Sequence, residues 1–200
     1  MDVTEAVAKR RAYRSLEPVE IDDNLIWDLA RHAQLAPSCF NNQPLRMIFV
    51  REPDRLEEMK EALSKGNRWA LAASMIIAVF SREEDDCVIR DRVYHQFDCG
   101  MGVGFLMLRA TELGLVAHPI AGFSPKKTAA ILGIPPGYKI ITLIIVGKKS
   151  DDVGPLLSEE QAAKEIERPE RKPLSEIAFQ DRFPEDLGPE SEDPRREDDA

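Results

Sequence analysis

The sequence predicts a domain of helices packed about a central sheet, and three observations carry that prediction. Two apolar runs, residues 75–80 (MIIAVF) and 139–146 (KIITLIIV), are short, rich in β-branched residues and almost unbroken, the pattern of strands covered on both faces. Segments of helical period surround them, with Leu25, Ile26, Leu29, Ala30 and Ala33 in one and Phe97, Met101, Phe105, Leu106 and Leu108 in another. Two hundred residues that are 43% hydrophobic and 32% charged suffice for one proper core.

Residues 2–14 read as a short helix, with Val3 and Val7 on one side and Lys9, Arg10, Arg11 and Arg14 near the C-terminal end, where positive charge complements the helix dipole. Asp22 and Asp23 are N-cap candidates for a second helix. That helix runs into residues 36–44 (APSCFNNQP), the longest polar, turn-forming run inside patterned sequence. Its two prolines bracket a hydroxyl, a thiol, an aromatic ring and three carboxamides without a single charge, a set suited to a neutral ligand with many hydrogen-bonding edges.

Residues 46–51 (RMIFVR) form a strand, and Leu56, Met59 and Leu63 mark a third helix closed by Gly66. The longest helical pattern spans residues 87–113 and ends at Gly114. Gly100, Gly102 and Gly104 lie in its middle, where each costs about 1 kcal/mol relative to Ala, so they are expected to admit the close backbone of another helix. Residues 115–120 are a strand leading into the turn 119–123, and Ser124 and Pro125 open a helix that Gly133 closes. Beyond Gly147 the chain becomes polar and proline-punctuated, so residues 150–183 are expected to form an arm on a neighbour. With the glycine-notched helix, that arm predicts a homodimer.

The formal net charge is −9, but residues 184–200 carry eight acids against Arg195 and Arg196, a net of −6. That tail is expected to be disordered, and the body is nearly neutral, which argues against nucleic acid as a partner. Neither a run of about 18 apolar residues nor a signal-peptide core is present, which predicts a cytoplasmic protein without membrane contact. Cys39, Cys87 and Cys99, an odd number without a CxxC pair, predict free thiols rather than a disulfide framework.

Candidate chemistry is sparse. The cluster Lys9, Arg10, Arg11 and Arg14 either holds a phosphate or another anion or is a solvated helix face; Arg171 and Lys172 offer a second basic pair. The GxGxG of residues 100–104 has the wrong spacing for a dinucleotide fingerprint and no preceding strand. His95 and Cys99 stand four apart without a second pair, so core packing is expected and no metal site. Cys39 lacks an adjacent base, and paired carboxylates occur only in exposed-looking stretches, leaving hydrolysis without candidates.

Three segments together resemble the nitroreductase family of flavoenzymes: residues 10–16 (RRAYRSL), residues 36–44, and residues 118–123 (HPIAGF), with R-K-P-L at 171–174 near the end. The resemblance covers about residues 3–183. It implies an α+β fold with a mixed, mainly antiparallel central sheet flanked by helices, and an intertwined homodimer with FMN at its interface. Residues 1–183 would form that domain, with 150–183 as an arm over the partner.

The resemblance also assigns roles. Arg10, Arg171 and Lys172 match positions holding the ribityl phosphate, Arg11 belongs to the same basic motif, and Arg14 matches a cation near the flavin pyrimidine that raises its reduction potential. Pro37, Ser38, Cys39, Asn41 and Gln43 fall in the loop that lines the flavin of the other subunit, and Asn67 matches a residue on the pyrimidine edge. Pro119, Ile120, Ala121 and Gly122 form the turn that points a backbone N–H, that of Ala121, at flavin N5.

The implied activity is ping-pong transfer of a hydride from NADH or NADPH through FMN to a nitroaromatic, quinone or similar conjugated acceptor, with no catalytic side chain. Alternatives on the same fold are flavin destruction, dehalogenation or azoline oxidation, or an FMN-binding sensor or store without turnover. Ala12 and Leu45 depart from the family's serine and tryptophan; a lost neutral hydrogen bond costs only about 0.5–1.5 kcal/mol.

Overall fold

The computed structural model describes residues 1–184. The described residues divide into two compact units, Met1–Glu167 and the residues from Arg168 onward. The acidic tail lies outside the described residues except for Pro184.

The first unit contains α1 (Val3–Lys9), β1 (Leu16–Glu17), α2 (Asp23–Gln34), β2 (Arg46–Val50), α3 (Pro53–Lys60), β3 (Met75–Ser81), β4 (Val88–Ile89), β5 (Arg92–Val93), α4 (His95–Glu112), β6 (Leu115–Ile120), α5 (Pro125–Leu132), β7 (Lys139–Lys149) and α6 (Glu159–Ile166). The main sheet runs β1-β7-β3-β2, with β6 also paired to β7. Residues 143–146 of β7 pair with β3 and also with β6, so β7 is central and β6 and β2 lie toward opposite edges. Every described pairing is antiparallel, which makes the mixed sheet of the expectation wholly antiparallel among the described residues.

The two apolar runs are buried because the sheet is covered twice. Met75, Ile77 and Val79 of β3 join Ile144 and Val146 of β7 in a core closed by Leu29 and Ala33 of α2 and Val103 and Leu106 of α4. The alternate residues Ile76, Ala78, Leu143 and Ile145 pack on the other side with Met59, Trp69 and Ile120. A strand with two dry faces leaves little room for a polar side chain, hence the nearly continuous hydrophobicity, and Thr142 fits because its hydroxyl donates to the Ile120 carbonyl at 2.9 Å.

Helix α2 starts where expected: the Asp22 carboxylate accepts the Leu25 N–H at 2.7 Å. Ser124 caps α5, and Gly133 ends it at φ 66. Gly102 is the notch between α4 and α2, since a Cβ there would lie 3.1 Å from the Ala33 carbonyl oxygen and 2.6 Å from Leu45. Around Gly100 and Gly104 a Cβ would meet nothing within 4 Å.

Several elements differ from expectation. The first helix stops at Lys9, so Arg10 to Arg14 run without helix beside the sheet. The third helix ends at Lys60, and residues 65–72 form a 3-10 segment that buries Trp69. The long helical pattern begins only at His95, because residues 88–93 form a hairpin whose turn places Arg90 at φ 62. Residues 159–166 form a helix with a capping box between Ser158 and Gln161, a signal present in the S-x-x-Q spacing. Cys39 and Cys87 are joined in a disulfide, correcting the expectation of free thiols; only Cys99 is free and buried. Forty-eight residues separate the pair, so proximity comes from the packing of loop 36–44 against the hairpin approach and leaves no local sequence signal.

Candidate functional site

Two clusters gather most of the sequence-predicted site residues. The first forms at the end of β6, where the chain leaves the sheet through the turn 119–123. The segment before Trp69 zips onto this turn: the Ser64 N–H donates to the Gly122 carbonyl at 3.0 Å, and Ser124 N–H donates to the Ala62 carbonyl at 2.7 Å. Asn67 Nδ2 donates to the same Gly122 carbonyl at 2.9 Å, while its Oδ1 accepts the Trp69 indole N–H at 3.1 Å. A Cβ at Gly122 would come within 2.5 Å of Ser64 Oγ and 2.6 Å of Asn67 Nδ2, so close approach is the reason for glycine here. Ala121, beside it, is exposed.

Trp69 carries this cluster on its face. His118 stacks on the indole with ring centroids 4.6 Å apart, and the Arg14 guanidinium stands 5.9 Å from the ring centroid. His118 is buried, and its Nδ1 must carry the hydrogen it shares with the Tyr13 carbonyl at 3.0 Å. Burial pushes its pKa below the usual histidine value; the Tyr13 carbonyl opposes this, while the charges of Arg14 and Arg10 reinforce it. A neutral imidazole therefore anchors the segment that bears the arginines.

That segment is held from the other side by Glu165. Its carboxylate, 8% exposed, accepts the backbone N–H of Arg14 at 2.9 Å and of Ser15 at 3.0 Å. Arg11 turns the opposite way: its guanidinium donates to the Lys164 carbonyl at 2.9 Å and the Glu165 carbonyl at 3.4 Å, capping the C-terminus of α6, and lies 4.6 Å from the Tyr13 ring centroid. Arg11 thus serves helix docking, and Arg14 is the guanidinium presented beside Trp69.

The second cluster is loop 36–44. Ser38 Oγ accepts the Gln43 N–H at 2.9 Å, and the Gln43 carboxamide donates to the Asn41 carbonyl at 3.2 Å. Phe40, Asn41 and Gln43 take positive φ of 47, 60 and 53, a left-handed geometry uncommon without glycine and costly enough to need clamping. The clamps are the Cys39 disulfide and the Cys39 N–H, which donates to Asp98 at 2.6 Å. Burial, the largest cause, and the neighbouring Asp86 push the Asp98 carboxyl up; the Cys39 N–H opposes them. Phe40 is left 87% exposed, and a cleft of about 390 Å³ beside the loop is lined by Pro37, Ser38, Gln43, Asp98 and Gly102.

The clusters lie toward opposite edges of the sheet, the loop preceding β2 and the turn following β6. Three strand spacings separate those edges, about 14 Å. Pro119 and Ile120 lie at the end of β6, with Ile120 buried in the core. Arg171 and Lys172 lie in the second unit, exposed, with Lys172 3.6 Å from Glu176. His95 and Cys99 are both buried; His95 Nδ1 pairs with Ser81 Oγ at 2.6 Å, the packing role expected of it. Sequence reasoning assigned no role to Glu165, Trp69 and Asp98, which meet Arg14 and Ser15, His118, and Cys39 across long stretches of chain.

Comparison with known proteins places this geometry. The nitroreductase family model matches residues 7–148. An NADH dehydrogenase of Thermus thermophilus is 26% identical over 183 residues, covering 76% of this chain and 89% of that protein. An uncharacterized 15.4 kDa protein of Mycolicibacterium smegmatis is 34% identical over 122 residues, covering 60% of this chain and 79% of that protein. A solved structure of an oxidoreductase containing FMN aligns with a TM-score of 0.80 at 26% identity, covering 92% of this chain and 94% of that one.

Proposed function

The chain belongs to the nitroreductase family, and on that premise we propose that it binds FMN and passes a hydride from NADH or NADPH to a nitroaromatic, quinone or similar conjugated acceptor. The observation that carries this reading is the convergence of Arg14, Asn67 and the exposed Ala121–Gly122 turn on one Trp69–His118 stack. These groups are a cation, a carboxamide and backbone amides set over a buried aromatic pair. They fit a flat, hydrogen-bonding, electron-accepting ring system.

Bound FMN would supply the hydride exchange at N5, in ping-pong order, with one substrate leaving before the next enters. The protein's own groups bind and orient. Arg14 places positive charge where it favours the reduced, anionic cofactor, and a neutral His118 adds no second charge behind it. Asn67, fixed by Gly122 and Trp69, is oriented before ligand arrives, which lowers the entropic cost of binding. Arg10, Arg171 and Lys172 are proposed to hold the phosphate. Pro37, Ser38, Cys39, Asn41 and Gln43 are proposed to line the flavin of a second copy. Their place across the sheet from the Ala121 turn supports a site completed by two subunits. So do the exposed Phe97 and Phe105 of α4, beside glycines whose Cβ positions are open.

The test is the absorption spectrum of the purified full chain, followed by anaerobic addition of each nicotinamide. The expected result is a flavin spectrum that bleaches with NADH or NADPH and recovers on adding menadione or a nitroaromatic. A colourless protein that takes up no FMN on reconstitution refutes the flavin reading. Bound FMN that neither nicotinamide reduces refutes turnover with those donors.

A further inference from the structure

Loop 36–44 carries a second feature besides its proposed place against the flavin. Cys39, Asp86 and Cys87 bring two sulfurs and a carboxylate oxygen within 4.8 Å of one another. One oxygen of that carboxylate, Asp86 Oδ2, is buried without an N–H or hydroxyl donor, and the neighbouring acid is the Asp98 carboxyl, which Asp86 pushes up. A buried carboxylate oxygen with no donor is costly, and a cation is one way to satisfy it. Behind the cluster stands a single amide: Asn42 Nδ2 is 3.3 Å from Asp86 Oδ1 and 3.4 Å from Cys87 Sγ, an outer donor touching two of the three groups.

We propose that Cys39, Cys87 and Asp86 bind one Zn²⁺ ion when the disulfide is reduced, so that disulfide and metal are alternative closures of the same clamp. Two thiolates and a carboxylate form a ligand set that suits Zn²⁺, with a fourth position for water. Tetrahedral Zn²⁺, with bonds of about 2.3 Å to sulfur and about 2.0–2.2 Å to oxygen, needs ligand atoms about 3.4–3.8 Å apart. The bonded sulfurs are closer than that and part on reduction, while all three ligand atoms already lie within 4.8 Å of one another. The chemistry balances: a thiol or phosphine reductant supplies two electrons, two protons convert the disulfide to two thiols, and Zn²⁺ then displaces both thiol protons.

Either closure ties residue 39 to residue 87 and so holds the positive-φ turn of Phe40 and Asn41 in place. In an oxidising environment the covalent bond does this. Under reduction, metal keeps the loop positioned, and a chain lacking both would have a slack loop. The proposal rests on the geometry of the thiols and Asp86 and does not require the flavin reading.

The experiment uses the full chain as purified, compared in two redox states, with substituted chains as a second arm. One sample is oxidised with diamide; the other is reduced with a phosphine, desalted anaerobically and titrated with Zn²⁺ against a chromophoric chelator. The reduced protein is expected to take up one Zn²⁺ per chain and the oxidised protein none. Cd²⁺ in place of Zn²⁺ should give a thiolate-to-metal charge-transfer band in the reduced sample alone. Cys87→Ser should weaken uptake on the order of 100-fold or more, and Asn42→Ala about 10-fold. A reduced protein without uptake overturns the proposal, as does uptake unchanged by oxidation. Loss of uptake in Cys99→Ala but not in Cys87→Ser would place the metal on the other thiol and also overturn it.

Discussion

Glu165 offers the sharpest test of how the arginine-bearing segment is held. Its carboxylate is almost fully buried and accepts two backbone N–H groups, from Arg14 and Ser15. Hydrogen bonds to a charged acceptor contribute about 1.5–3 kcal/mol each, and removing the acceptor leaves its donors with no ready replacement. Glu165→Ala should therefore cost about 3–5 kcal/mol. For a chain of this size that lowers Tm by about 6–20 °C, at 2–4 °C per kcal/mol. Glu165→Gln keeps one oxygen but turns an NH₂ group toward the second donor, so it should recover less than half of the loss. Glu160→Gln is the control: its pair with Lys164 is exposed, and the change should cost under about 0.5 kcal/mol. Equilibrium urea unfolding followed by tryptophan fluorescence measures all three. A loss below about 1 kcal/mol for Glu165→Ala would refute the reasoning, because it would mean that water or neighbouring groups replace the carboxylate freely.

Three other expectations follow from the same structure. Gly122→Ala places a methyl against Ser64 and Asn67 and should destabilise by about 1–3 kcal/mol while weakening retention of added FMN, measured by urea unfolding and by flavin fluorescence. His118 has a folded-state pKa below its unfolded value, so its contribution to stability is complete above about pH 6.5 and is lost as pH falls through the folded value. His118→Gln should flatten that part of the stability-against-pH curve. Reducing the Cys39–Cys87 disulfide, which spans 48 residues, removes a loop constraint worth about 4 kcal/mol on the chain-entropy relation. Urea midpoints with and without reductant in the presence of a chelator test it, and an unchanged midpoint would show that the bond adds nothing.

Patterned elements were legible because their information is local. The runs 75–80 and 139–146 announce strands with two buried faces, and both lie at the centre of the sheet. Asp22, Ser124 and Gly133 announce helix ends, since a cap is a contact between residues three or four apart. Local signals also misled. Residues 87–94 carry apolar side chains at helical spacing, yet they turn back as a hairpin at Arg90, and the pattern in that stretch is too short to decide between the two.

By itself, then, the sequence determined the α+β class, the central strands, the caps and the family resemblance, all of which depend on neighbours along the chain or on motifs with fixed spacing. Only the tertiary structure decided that Arg14 stands beside Trp69 while Arg11 turns to α6, that Glu165 clamps the arginine segment across 150 residues, and that Cys39 meets Cys87. Each of these contacts joins residues far apart in sequence, and their pairing is set by how the helices and the hairpin close on the sheet. A buried carboxylate or a half-cystine reads from sequence as one more polar residue until packing shows what it faces.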